Sequence, residues 1–109
     1  MPKQNYKNTV ILSALEVDLL TVLIGKELYG LELLETINEA RHEIGMNELK
    51  IGSLYPTLKR LETAGLIKGK FQKPAADFTF SRRKYYKLSH KGQTAIALNT
   101  TYRKLLAGK

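Results

Sequence analysis

The chain has 109 residues, enough for one domain around a single core, and its 43% hydrophobic and 26% charged residues are those of a globular protein rather than a disordered or fibrous one. It has no cysteine, which excludes disulfides and thiolate metal sites and suits a cytoplasmic location; no apolar run of about 18 residues spans a membrane, and Met1 to Lys7 are too polar to open a secretion signal. The net charge of +8 is unevenly placed, with residues 1–67 at −2, residues 68–91 at +7 and residues 92–109 at +3, as expected of a surface that meets a polyanion.

Residues 1–9 carry no periodicity and are expected to form a flexible arm. Ser13 and Glu16 make a Ser-x-x-Glu capping box, in which each side chain satisfies a free amide at a helix start. The helix that follows is apolar nearly all round (Leu15, Val17, Leu19, Leu20, Val22, Leu23, Ile24), so it needs cover on more than one side. In a domain this small, another subunit is expected to supply part of that cover. Gly25, Lys26 and Glu27 break the pattern. A second helix is expected over residues 29–44, with Leu33, Leu34, Ile37, Ala40 and Ile44 at helical spacing. Glu32, Glu35, Glu39 and Glu43 line another of its faces, which should point away from nucleic acid.

After a turn at Gly45 to Asn47, a third helix begins near residues 51–53, kept close to Pro56 by the donor that proline lacks. It ends at Ala64, with Gly65 just past the cap. Leu66 to Phe71 reads as a strand, residues 72–81 as a loop and residues 82–88 as the returning strand. Ser89 can cap a last helix over residues 90–106. The fold class is therefore mainly α with a two-stranded β-hairpin, in a body over residues 10–88 followed by a C-terminal helix within residues 89–109.

At about 100° per residue, Leu54, Leu58 and Leu61 stack in a narrow arc of the third helix and must face the core. Gly52, Pro56, Lys59, Arg60 and Thr63 lie opposite, with Ser53, Tyr55 and Thr57 on the flanks. The hairpin carries Lys68, Lys70, Lys73, Arg82, Arg83 and Lys84, which can lie along phosphates or enter a minor groove. A solvated lysine-rich loop would carry the same charge, and any surface helix exposes lysine and arginine. It is the two together that suggest double-stranded DNA. Tyr85 and Tyr86 alternate across their strand, so one ring should face the core. Ala95, Leu98, Tyr102 and Leu105 follow a three-four spacing, a helix-packing seam. With Leu15 and Leu19 of the first helix, Leu98, Tyr102 and Leu105 are the expected homodimer interface. His42 and His90 lie in different elements, and there is no phosphate loop or nucleophile motif. No enzyme activity, metal or cofactor is expected. The segment Pro74-Ala75-Ala76-Asp77-Phe78-Thr79-Phe80 is apolar for a DNA-facing loop, which leaves a protein-interaction module as the alternative. An RNA-binding module ranks last, because the aromatics fall within helix and strand patterns.

Residues 51–67 resemble the signature of the PadR-like regulators: Ser53-Leu54-Tyr55-Pro56 running into Lys59-Arg60-Leu61-Glu62 and Gly65-Leu66-Ile67. Arg83-Lys84-Tyr85-Tyr86, then Leu88-Ser89 and Lys91-Gly92, are similar to a second stretch of that family. Tyr29-Gly30-Leu31-Glu32-Leu33 resembles a third, with Tyr29 where a histidine is common. The resemblance implies a homodimeric winged helix-turn-helix, usually a repressor that leaves a palindromic operator when a small-molecule effector or other signal arrives. It puts Ser53, Tyr55, Thr57 and Lys59 on the recognition helix and Arg82, Arg83 and Lys84 at the wing; Lys73 joins these as a DNA-binding candidate on the charge of the hairpin alone. Leu98 and Tyr102, beside helix one, are the candidates for an effector pocket between subunits.

Overall fold

The computed structural model describes residues 11–72 and 83–108. Among them the order is α1 (Ala14–Val22), β1 (Leu28–Tyr29), α2 (Gly30–Glu43), α3 (Ile51–Thr63), β2 (Ile67–Phe71), β3 (Lys84–Leu88) and α4 (His90–Ala107). The capping box forms as read: Glu16 N donates to Ser13 Oγ at 3.2 Å and Ser13 N to Glu16 Oε1 at 2.8 Å. α1 is apolar all round because α2, α3 and α4 of its own chain all pack on it. Leu19, Leu20 and Leu23 are buried, and Leu15, Val17 and Val22 are half-buried against them. This corrects one expectation: Leu19 is 0% exposed within a single chain and so belongs to the core, not to an interface.

α2 and α3 form the helix-turn-helix pair. The connection is fixed by Asn38, whose Oδ1 accepts from Leu49 N at 2.7 Å and whose Nδ2 donates to Leu49 O at 3.2 Å. Leu49 is buried beneath it, and Arg41 donates to Asn47 O at 3.2 Å. Gly45 turns the chain at a φ of +77°, a backbone that costs glycine nothing. α3 starts at Ile51, more than a turn ahead of Pro56, so the proline lies within the helix.

The sheet has three strands in the order β1-β3-β2, all antiparallel, rather than the expected two. β1 contributes only Leu28 opposite Tyr86 and Tyr29 opposite Tyr85. Two residues carry no period to read, and their partners lie far along the chain. In the β2–β3 ladder, Ile67 faces Leu88, Gly69 faces Tyr86 and Phe71 faces Lys84. This face is the inner one, where Ile67 and Tyr86 are buried. On it the Lys84 ammonium meets Glu62 of α3 at 2.8 Å. The pair lies across Gly69, where a Cβ would collide with both side chains.

α4 is fastened at two levels. At its start, Ser89 Oγ accepts from Gly92 N at 3.0 Å and donates to Gly65 O at 2.5 Å, while Ser89 N donates to Leu66 O at 3.1 Å. Gly92 lies directly on the Leu66 carbonyl. Midway, the buried Asn99 accepts from Leu12 N at 3.0 Å and donates to Ala95 O at 2.9 Å. No helix of the described residues is long and apolar enough to cross a membrane.

Two outcomes are expected. A methyl group at residue 92 has nowhere to go but into the Leu66 carbonyl, so Gly92→Ala should cost about 1–3 kcal/mol by urea denaturation; a change within about 0.5 kcal/mol would contradict the packing. The hydrogen bond that Lys84 donates to Glu62 raises its ammonium above the ordinary range, and burial raises the Tyr86 phenol. Both upward shifts mean that the folded chain holds its protons more tightly than the unfolded one. Their contribution to stability is therefore complete below about pH 10 and is lost as pH rises further. Denaturation measured from about pH 9 to 11 should show that decline, and Tyr86→Phe, which has no phenol to ionise, should make it shallower.

Candidate nucleic-acid interface

The burial of Leu54, Leu58 and Leu61 in the core turns the opposite side of α3 outward. Gly52, Pro56, Lys59, Arg60 and Thr63 are all exposed there, as the helical spacing predicts. The first turn of α3 carries no acidic residue, and its N-cap, Lys50, supplies no side-chain acceptor. The open amides and the positive end of the helix dipole are thus presented to any anion that approaches.

The flanking residues divide. Ser53 is exposed and Tyr55 is 43% exposed, its ring seated against Gly30 at the start of α2. Thr57 is only 3% exposed, which corrects its expected role as a surface contact. Its hydroxyl donates to Ser53 O at 2.9 Å and accepts from Arg60 Nη2 at 3.1 Å. Thr57 therefore orients Arg60, a residue the helical spacing put outward but the sequence reading did not single out. The signal was present as threonine and arginine three apart on one helix face.

The strand register sorts the basic residues. Lys84 faces inward and is paired with Glu62, so it is not a free cation of the wing; this too corrects the sequence reading. Lys91 donates to Ala64 O at 3.0 Å and caps the C-terminus of α3. Lys68, Lys70 and Lys87 stand exposed on the outer face of the sheet. Lys68 is directly opposite Lys87, a like-charge pairing that destabilises the free protein by some tenths of a kcal/mol. Arg83, also exposed, continues that face at the end of the sheet where Gln72 N donates to its carbonyl at 2.7 Å. Its guanidinium carbon lies 4.5 Å over the centre of the Tyr29 ring. Tyr29 in turn meets Tyr85 edge-on, with ring centres 5.5 Å apart. Tyr86 is the ring that faces the core. Lys73, Arg82 and the apolar segment over residues 74–80 lie outside the described residues, as does the expected arm over residues 1–9.

Along α4 the expected seam is split. Ala95 and Leu98 are half-buried, and Ala95 packs on the chain's own core. Tyr102 and Leu105 are 42% and 59% exposed, and Leu106, unremarked in the sequence, is 62% exposed. Leu15 is half-buried against the core. A cleft of about 280 Å³ between α1 and α2, lined among others by Val22, Ile37, Ala40 and Met46, includes neither Leu98 nor Tyr102. Among the described residues, no group of three histidine, cysteine, aspartate or glutamate side chains converges to hold a metal.

The family model described as the transcriptional regulator PadR-like family matches residues 19–98. A solved transcriptional regulator from Streptococcus is 30% identical, with 86% of this chain and 85% of that one covered and a TM-score of 0.66. A PadR-like transcriptional regulator from Bacillus cereus is 26% identical, with 86% and 84% covered and a TM-score of 0.67. The Bacillus subtilis PadR, solved in complex with operator DNA, shares the fold at 24% identity and a TM-score of 0.67, over 78% of this chain and 46% of that one. The comparison with curated proteins gives no match. With most of its length matched by the family model, and with the helix-turn-helix pair followed by an antiparallel wing, the chain belongs to the PadR-like family of transcriptional regulators.

Proposed function

We propose that the chain is a sequence-specific DNA-binding regulator that works as a homodimer on a palindromic operator. On this reading it acts as a repressor whose occupancy is lowered by a small molecule or another signal. The observation that carries it is the outward side of α3. There Ser53, Tyr55, Lys59 and Arg60 are exposed along a helix whose first turn is free of acidic side chains, next to a wing whose outer face holds Lys68, Lys70, Arg83 and Lys87. In a helix-turn-helix the second helix enters the major groove with its N-terminal residues against the bases. Lysines and arginines on the adjoining strands then contact phosphates, which fix register without reading sequence. The mutual repulsion of the like-charged Lys68 and Lys87 is offset by their attraction to a polyanion lying over them. The operator complex of the Bacillus subtilis PadR supports the same use of the fold.

Dimerisation is supported by α4. Beyond the buried Asn99 the helix leaves its own core, and Tyr102, Leu105 and Leu106 stand exposed on its last two turns. Three large apolar side chains at three-four spacing form one stripe, the pattern that helices bury against a partner. A second copy supplies the same stripe about a two-fold axis, which matches a palindromic site.

Selection of bound duplexes from a random pool should enrich a palindrome whose half-site centres lie about 34–36 Å apart. Affinity for the selected duplex no better than for random duplex would rule out sequence-specific reading. Lys59→Ala should weaken binding, and if Lys59 meets a phosphate the slope of log affinity against log salt should flatten by about one unit. Replacing Leu105 and Leu106 together by serine should yield a folded monomer in analytical ultracentrifugation; a dimer that survives the change would place the interface elsewhere.

A further inference from the structure

We propose that Tyr29 is a positioning residue for DNA binding: its ring holds the Arg83 guanidinium flat, so that the edge of Arg83 is presented to a backbone phosphate beside the recognition helix. The inference rests on the DNA-binding reading above.

Tyr29 is fixed from two sides of the backbone. As the last residue of β1 it pairs with Tyr85, and as the N-cap of α2 it donates its amide to Glu32 Oε1 at 3.1 Å. Its ring meets that of Tyr85 edge to face, with the two planes 74° apart. Arg83 covers a face of the Tyr29 ring, 4.5 Å from its centre. A guanidinium stacked through its face keeps its five N–H donors, because they all lie in the plane of the group. Among the described residues no carboxylate pairs with Arg83, whereas the adjacent Lys84 is taken up by Glu62. Among the described residues, Arg83 is therefore a cation at this rim with donors to spare.

The residue after Tyr29 ties the same point to α3. A Cβ on Gly30 would lie 2.5 Å from the Tyr55 hydroxyl oxygen and 2.9 Å from two of its ring carbons. One peptide step thus joins the seat of Tyr55, on the recognition helix, to the seat of Arg83, on the wing. Tyr29 sets how far the wing's guanidinium stands from the helix that reads the bases. An arginine ordered only on binding gives up its rotamer freedom at that moment. One already stacked has given up part of it in the free protein, so its phosphate contact is stronger and better directed.

The test is a double-mutant cycle on the full chain, using the duplex selected from the random pool and fluorescence anisotropy over a range of salt. Thermal melts are taken to show that each variant is folded. Arg83→Ala should weaken binding about tenfold and flatten the salt slope by about one unit. Tyr29→Leu should reproduce most of that loss although it removes no charge. Tyr29→Phe, which keeps the ring, should bind within about twofold of the parent chain. The double variant should be no weaker than Arg83→Ala, because the tyrosine acts only through the arginine. Losses that multiply in the double variant, or a Tyr29→Phe as weak as Tyr29→Leu, would overturn the positioning role while leaving the DNA-binding reading intact. A parent chain that binds no duplex even at low salt would overturn both.

Discussion

The orientation of everything functional in this chain depends on one buried set, Leu54, Leu58 and Leu61 of α3, in the core that α3 shares with α1, α2 and β2. Each leucine taken out of water contributes about 1.5–3 kcal/mol, and all three are essentially inaccessible. A half-exposed ion pair such as Glu62–Lys84 contributes about 1 kcal/mol at most. The leucines therefore decide how α3 is rotated, and the ion pair adds a weaker tie between α3 and the sheet. Because α1 is covered by three other helices, α3 cannot roll without opening the centre of the core. A fixed roll is what a reading helix needs, since a shift of one residue would exchange the outward Lys59 for the inward Leu58.

The excess positive charge is not one surface. Its largest block falls in residues 68–91, yet within that block Lys84 neutralises Glu62, Lys91 caps the end of α3, and Lys68, Lys70, Arg83 and Lys87 share the outer face of the sheet. A charge total over a segment mixes cations that hold the fold together with cations that face solvent. Register separates them, because successive side chains of a strand point to opposite sides. Thr57 makes the same point on the helix. It shares a flank with Ser53, but one turn lower the flank is closed, so its hydroxyl serves Arg60 instead of solvent.

Much of the local structure was legible from the residues themselves. The Ser13–Glu16 box, the break before α2, the end of α3 at Gly65 and the Ser89 cap each depend on side-chain-to-backbone chemistry within about four residues, and each forms where it was read. The outward set of α3 was legible for a related reason: one helical period and three leucines suffice to orient it. β1 was not legible, because two residues acquire strand character only from a partner more than fifty positions away. Nor was Asn99, a polar residue in a helix with no local mark of burial, whose side-chain oxygen accepts from the amide of Leu12 at the other end of the chain.

The amino-acid sequence by itself determined the order of the four helices and of the hairpin strands, the core side of α3 and membership of a regulator family, since periodicity, capping and motif spacing are properties of neighbours along the chain. Only the tertiary structure decided which cations are free, that Leu19 is core rather than interface, that Thr57 supports Arg60, and that Tyr29 lies beneath Arg83. The physical reason is common to all four. Each depends on what a second element, brought in by long-range packing, leaves covered or open, and no local pattern encodes the far side of a contact.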